Sequence, residues 1–229
     1  MRTLIYVPII HSFADMGTLS DELKRNSVSV LGENLWQKHT NTVNGYWEAI
    51  ESYFVNIDLC IKGIKIYQDG MFVDGDMALK LIRDGVNSGS KNSEIVLNLI
   101  NRGAVLIKTE DFKMVKDEYD GLQSIIKSKF YINKLIQLLR YKVLKSILLR
   151  RRDLFIAAII NETLELNETG ILFIGAYHNI IKRLHEDIIV VELKEVEKIR
   201  KYQKMIQSRL KIETDQLERL SQYMVKKMI

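Results

Sequence analysis

Two stretches of the chain run an apolar segment into a histidine: Leu4-Ile5-Tyr6-Val7-Pro8-Ile9-Ile10-His11 and Ile171-Leu172-Phe173-Ile174-Gly175-Ala176-Tyr177-His178. The chain has four histidines, and two of them fall at these equivalent places. Carboxylates follow other apolar runs in the same manner. Asp15 stands four residues beyond His11, and Asp69 lies in Gln68-Asp69-Gly70. Glu110 lies in Thr109-Glu110-Asp111, and Glu192 stands near the end of a further run. Imidazole and carboxylate together can hold a divalent metal ion, or can work as a metal-free acid–base pair. A neighbouring carboxylate raises a histidine's pKa, whereas a bound metal favours the neutral ring. The catalytic candidates are therefore His11, His178, Asp69 and Arg152. The candidate ligands for a divalent ion, of identity left open, are His11, His178, Asp15 and Glu110. Arg152 is the candidate anion or oxyanion stabiliser. The plainer alternative is that polar residues end strands because loops are wet. His39 and His185 fall inside helical patterns and are expected to be surface or packing residues.

Residues so distant in sequence meet only if the elements carrying them run the same way. Five runs, 4–10, 64–67, 104–107, 171–174 and 188–193, are rich in Ile and Val and nearly lack alternation. That is the pattern of strands covered on both faces. Helical spacing fills the intervals. It predicts helices over 35–57 (with Trp36, Val43, Trp47, Ile50 and Phe54), 75–86, 93–102, 111–149 and 153–166. Arg152-Asp153 reads as the opening of the last of these, because Asp is favoured at a helix N-terminus. Strands alternating with helices predict an α/β fold: a mainly parallel sheet of about five strands flanked by helices, with a long C-terminal helix. In open parallel sheets ligands bind beyond the carboxyl ends of the strands. The polar groups after the strands should then gather at one edge. Strand order is not readable from the pattern.

Residues 194–229 read as a helix appended to an α/β domain of residues 1–193. Val196, Ile199, Ile206, Leu210, Leu217, Leu220 and Met224 occupy a and d positions of one heptad frame, with Gln203 and Glu213 as polar exceptions. A single helix of that length would reach about 50 Å. Its stripe needs a cover, either the 111–149 helix of the same chain or a second copy. The interrupted seam favours packing within the chain, with any homodimer contact confined to 217–224. The long helical segment 111–150 is basic: residues 121–152 hold nine Lys or Arg and no acid. They form a solvated basic face, or a surface for anionic membranes or phosphate backbones. Few aromatic residues interleave with the bases, so nucleic acid is not indicated.

Composition narrows the classes further. The 229 residues are 47% hydrophobic and 28% charged, which excludes global disorder. The net charge of +5 does not by itself call for nucleic acid. A single cysteine, Cys60, excludes an intramolecular disulfide and Cys-cluster zinc or iron–sulfur sites, and is expected to be buried and inert. No signal-peptide pattern opens the sequence, and no apolar run approaches roughly 18–20 residues, so a soluble cytoplasmic chain without a transmembrane segment is expected. There is no H-E-x-x-H, G-x-S-x-G or phosphate-loop motif.

The run Arg152-Asp153-Leu154-Phe155-Ile156-Ala157-Ala158-Ile159-Ile160, followed by residues 170–178, resembles the TraB/PrgY and Tiki group of the erythromycin-esterase/ChaN-like superfamily. Proteins of that group run an Arg-led helix into a strand ending in G-x-x-H, which Gly175-Ala176-Tyr177-His178 matches. Val7-Pro8-Ile9-Ile10-His11 looks like the group's second strand-to-histidine motif, with Pro8 where Gly is usual. Gln68-Asp69 stands where the group tends to carry Glu. The similarity is best over residues 151–193. It implies an α/β fold with a site built from both histidines, the Arg and carboxylates. For some members it implies divalent-metal-dependent hydrolysis; others carry C-terminal membrane spans. Two readings result. One is a hydrolase-like protein with a His/carboxylate site at the C-terminal edge of the sheet, acting on a small molecule or peptide. The other is a non-catalytic interaction or regulatory protein that uses its C-terminal helix.

Overall fold

A computed structural model describes residues 1–10, 28, 32–127, 131–207 and 214–228, with side chains described outside 118 and 121–145. His11, Asp15, Leu210 and Glu213 therefore lie outside the described residues. The strands are β1 (Arg2–Ile9), β2 (Lys65–Gln68), β3 (Val105–Ile107), β4 (Thr169–Gly175) and β5 (Ile188–Glu192). They form one sheet in the order β3-β2-β4-β1-β5, with every pairing parallel. The five apolar runs of the sequence are these five strands. β4 and β1 lie innermost, where Leu4, Val7 and residues Ile171 to Ile174 are fully shielded from solvent.

Helix α1 (Glu33–Asn56) covers one face, its Phe54 ring 5.8 Å from that of Phe173. Helix α5 (Tyr131–Thr163) covers the other. Its Leu148, Ile156 and Ile160 form a buried stripe at helical spacing, and Thr163 meets the Tyr67 hydroxyl at 2.9 Å. Helices α2 (Gly75–Asn87) and α3 (Lys91–Asn101) connect β2 to β3, and α4 (Phe112–Lys127) precedes α5. Among the described residues no helix is long and apolar enough to cross a membrane.

Pro8 sits in an interior strand, where a missing N–H would normally break a ladder bond. Its position explains why it is tolerated. Pairing between β1 and β5 ends at Tyr6↔Glu192, and the Leu193 N–H closes that ladder on the Tyr6 carbonyl. Pro8 and Ile10 point to the same side as Tyr6, past the end of β5. Their carbonyls are taken by helix α1 instead: the Tyr46 hydroxyl donates to Pro8 O, and Trp47 Nε1 donates to Ile10 O at 3.2 Å.

Several expectations are corrected. Arg152-Asp153 does not open a helix; α5 runs through it without interruption. No Gly or Pro stands there to break the backbone, and the apolar spacing continues on both sides. The C-terminal segment is helical, but it divides into α6 (Val196–Gln207) and α7 (Thr214–Val225), which fold back on each other. Lys194 Nζ donates to the carbonyls of Tyr223 (3.1 Å) and Lys226 (2.5 Å), which ties the start of α6 to the end of α7. Among the described residues, the stripe of α7 packs against α1. Leu217, Leu220 and Met224, to which any homodimer contact was confined, are buried within the chain. Finally, Cys60 is exposed, and His185 lies in the loop before β5 beside Arg2 rather than in a helix.

Candidate active site

Asp69 follows directly on β2, Glu110 comes shortly after β3 and His178 shortly after β4. Because the strands are parallel, all three stand at the C-terminal edge of the sheet. Helix α5 runs antiparallel to the strands it covers, and its buried stripe carries Arg152 and Asp153 to that same edge. Two local devices hold the carboxylates. The N–H groups of Thr109 and Glu110 both donate to Met71 O, at 2.8 and 3.0 Å, so the loop after β3 is fastened to the turn after β2. That turn needs Gly70, whose φ of 79° is open to glycine at little cost. The Gly70 N–H in turn donates to Glu110 Oε1 at 3.1 Å.

Arg152 joins the two carboxylates. Its Nε donates to Glu110 Oε2 at 2.8 Å, and its Nη2 to Glu110 Oε1 at 2.6 Å and to Asp69 Oδ1 at 2.5 Å. The other oxygen of Asp69 accepts the Gly175 N–H at 3.0 Å and lies 3.6 Å from His178 Nε2. The opposite ring nitrogen, Nδ1, is 2.7 Å from Asp153 Oδ1. Asp153 Oδ2 accepts the Asn179 N–H at 3.1 Å, which fixes the carboxylate and so the ring. An ionised Asp only accepts, so this contact places a proton on Nδ1 and turns Nε2 toward Asp69.

The set is buried: Glu110 is 0% exposed, Asp153 3%, His178 6% and Arg152 8%. Burial lifts the Glu110 carboxyl above its ordinary value, with Arg152 pulling the other way and Asp69 adding to the rise. For His178 burial opposes the imidazolium, but the facing Asp69 and the bond to Asp153 outweigh it, so its pKa is raised above 6.5.

The structure thus brings together Asp69, Glu110, Arg152 and His178 of the expected residues. Arg152 serves differently from the open anion clamp expected, because its Nε and Nη2 are turned onto the two carboxylates. Glu110 differs too. Both its oxygens accept from Arg152, and one also takes the Gly70 N–H, which does not suit a metal ligand. Among the described residues no three His, Cys, Asp or Glu side chains converge as a metal site, and His11 and Asp15 lie outside those residues. Asp153 was missed as a site residue, although it adjoins Arg152. Its role becomes legible only once the helix is seen to continue, since Asp153, Ala157, Ile160 and Leu164 then share a buried face.

No family model matches the chain, and comparison with curated proteins and with solved structures gives no match.

Proposed function

We propose that the chain is a hydrolase whose acid–base group is His178, working with Asp69 at the C-terminal edge of the sheet on a small molecule or peptide. One observation supports this above the others: Asp153, His178 and Asp69 stand in a line, with the imidazole held at Nδ1 and its Nε2 directed at a carboxylate 3.6 Å away. That spacing exceeds a direct hydrogen bond, yet a water or hydroxyl oxygen placed beside both groups can lie about 2.8 Å from each. A neutral Nε2 then accepts a proton from water, and the imidazolium returns one to a leaving group. Asp153 holds the tautomer and compensates the charge that forms. Arg152 donates to both Asp69 and Glu110 and opposes the upward shift that burial imposes on Glu110. The G-x-x-H ending shared with the TraB/PrgY and Tiki group lends further support. Metal dependence would require donors from His11 and Asp15 besides His178.

The test is hydrolysis of a panel of chromogenic esters, phosphoesters and peptides by the wild-type chain and by His178→Asn, with chelator or with added Mn²⁺ or Zn²⁺. An Asn amide can still donate to Asp153 but cannot carry the proton. Turnover on at least one class, reduced roughly a hundredfold by the substitution, is expected. Turnover indifferent to His178→Asn contradicts the reading. A second reading, a binding or regulatory protein without turnover, draws on a cavity of about 400 Å³ between α1 and the C-terminal hairpin, lined by Leu35, His39, Tyr202, Ile206 and Leu217. Absence of turnover on every substrate, with metal or without, favours that second reading.

A further inference from the structure

We infer that Arg200, on the first helix of the C-terminal hairpin, is a positioning residue for His178; the inference rests on the reading of His178 as the acid–base group. The imidazole is presented by the turn Gly175-Ala176-Tyr177-His178, closed by the His178 N–H on Gly175 O at 3.0 Å. Three side chains from three different elements hold this turn. Asp69, after β2, takes the N–H of Gly175 where the turn begins. Asp153, on α5, takes the His178 ring and the Asn179 N–H where it ends. Arg200 takes the middle: its Nε and Nη2 both donate to the Ala176 carbonyl, at 3.0 and 2.8 Å.

Ala176 is fully buried, so its carbonyl has no water to fall back on. Two N–H groups of one guanidinium on one oxygen fix the peptide plane as well as its distance, which a single donor does not. Arg200 is held in its turn. Glu197, one helical turn earlier, binds its Nη1, and the neighbouring residues Val196, Ile199 and Tyr202 anchor α6 in the core. A rotation of the Ala176 peptide would swing the following residues and move Nε2 relative to Asp69. The C-terminal hairpin is thereby connected to the site through one backbone carbonyl. No other side chain of the hairpin has a described hydrogen bond to this turn.

The experiment follows the His178 Nδ1 proton by NMR as it exchanges with water. It uses the full chain and four variants: Arg200→Ala, Arg200→Lys, Tyr202→Phe and Asp153→Asn. Tyr202→Phe removes the α6 hydroxyl that meets His39 Nδ1 at 2.9 Å and touches nothing in the turn, so it reports general loosening of the helix. The expected result is exchange at least tenfold faster in Arg200→Ala, partial rescue in Arg200→Lys and no change in Tyr202→Phe. An unaltered Nδ1 proton in Arg200→Ala, or equal acceleration by Tyr202→Phe, overturns the positioning role while leaving the acid–base reading intact. A proton unaffected by Asp153→Asn overturns both, because the ring is then not held as described. Should Arg200→Ala fail to fold, Arg200→Lys is judged by the same criterion.

Discussion

Glu110 has no contact with solvent and gives both oxygens to Arg152, so its removal takes a doubly bonded carboxylate from a buried guanidinium that also binds Asp69. Breaking a buried pair in this way costs about 3–5 kcal/mol. Glu110→Ala should lower the free energy of unfolding in urea by that amount. Adding Arg152→Met should cost less than the sum of the two single changes, since the charges are coupled. A loss below about 1 kcal/mol for Glu110→Ala would show that the pair is not desolvated as described. His39 gives a pH dependence of opposite origin. Burial between α1 and α6 pushes its pKa down to about 4, so the fold holds it neutral. The unfolded chain protonates near 6.5. The stability tied to a neutral His39 is therefore complete above 6.5, is lost progressively as pH falls toward about 4, and is gone below that. The unfolding free energy of His39→Gln, measured against pH, should lack this component; parallel curves for the two proteins would contradict it. At this scale Asp69, Glu110 and His178 were legible, because polar residues directly after apolar runs mark strand ends; Arg152 was singled out on the expectation of a helix start that the structure does not have. Asp153 and Arg200 were not, since each acts on a partner that only the folded chain brings near.

Helix α1 meets α7 closely at Gly45, where a Cβ would come 2.7 Å from Val225 Cγ1 and 3.2 Å from its Cβ. Helix propensity alone favours Ala over Gly by about 1 kcal/mol. Val is branched at Cβ and cannot swing clear as a long side chain does, and overpacking of this kind costs about 1–3 kcal/mol. Gly45→Ala should therefore destabilise the wild-type chain, and the same substitution should stabilise a Val225→Ala background. Thermal unfolding of the four proteins reads the sign. A Gly45→Ala change that stabilises both backgrounds would show that α7 is not seated here. The strands were legible because Ile- and Val-rich runs without alternation have few other uses. The division of the C-terminal segment was not, because a heptad stripe specifies that it must be covered and says nothing of what covers it. The continuity of α5 was missed because Asp153 was read as opening a helix, whereas Arg150 and Arg151 are exposed and Arg152 and Asp153 turn inward within one continuous helix.

The whole molecule gathers groups from β2, β3, β4 and α5 at one end of the sheet, which parallel strands make inevitable once their order is set. That order places β4 between β2 and β1, so His178 emerges beside Asp69. Parallelism was legible from the strand composition; the order was not, since it depends on which helix crosses which face. The charge balance at this edge is also a property of the whole: among the described residues, three carboxyl groups face one guanidinium and one imidazole. It favours the imidazolium despite burial. The stability contributed by His178 is thus fully present below 6.5 and is lost as pH rises through its elevated folded value, opposite in direction to His39. The most direct measurement is the pH titration of the His178 ring by NMR, in the presence of chelator, for the wild-type chain and for Asp69→Asn. The wild-type ring should remain protonated above pH 6.5, and loss of the Asp69 charge should lower its titration point. A ring that titrates at or below 6.5 and ignores Asp69→Asn would contradict an acid–base histidine facing a carboxylate.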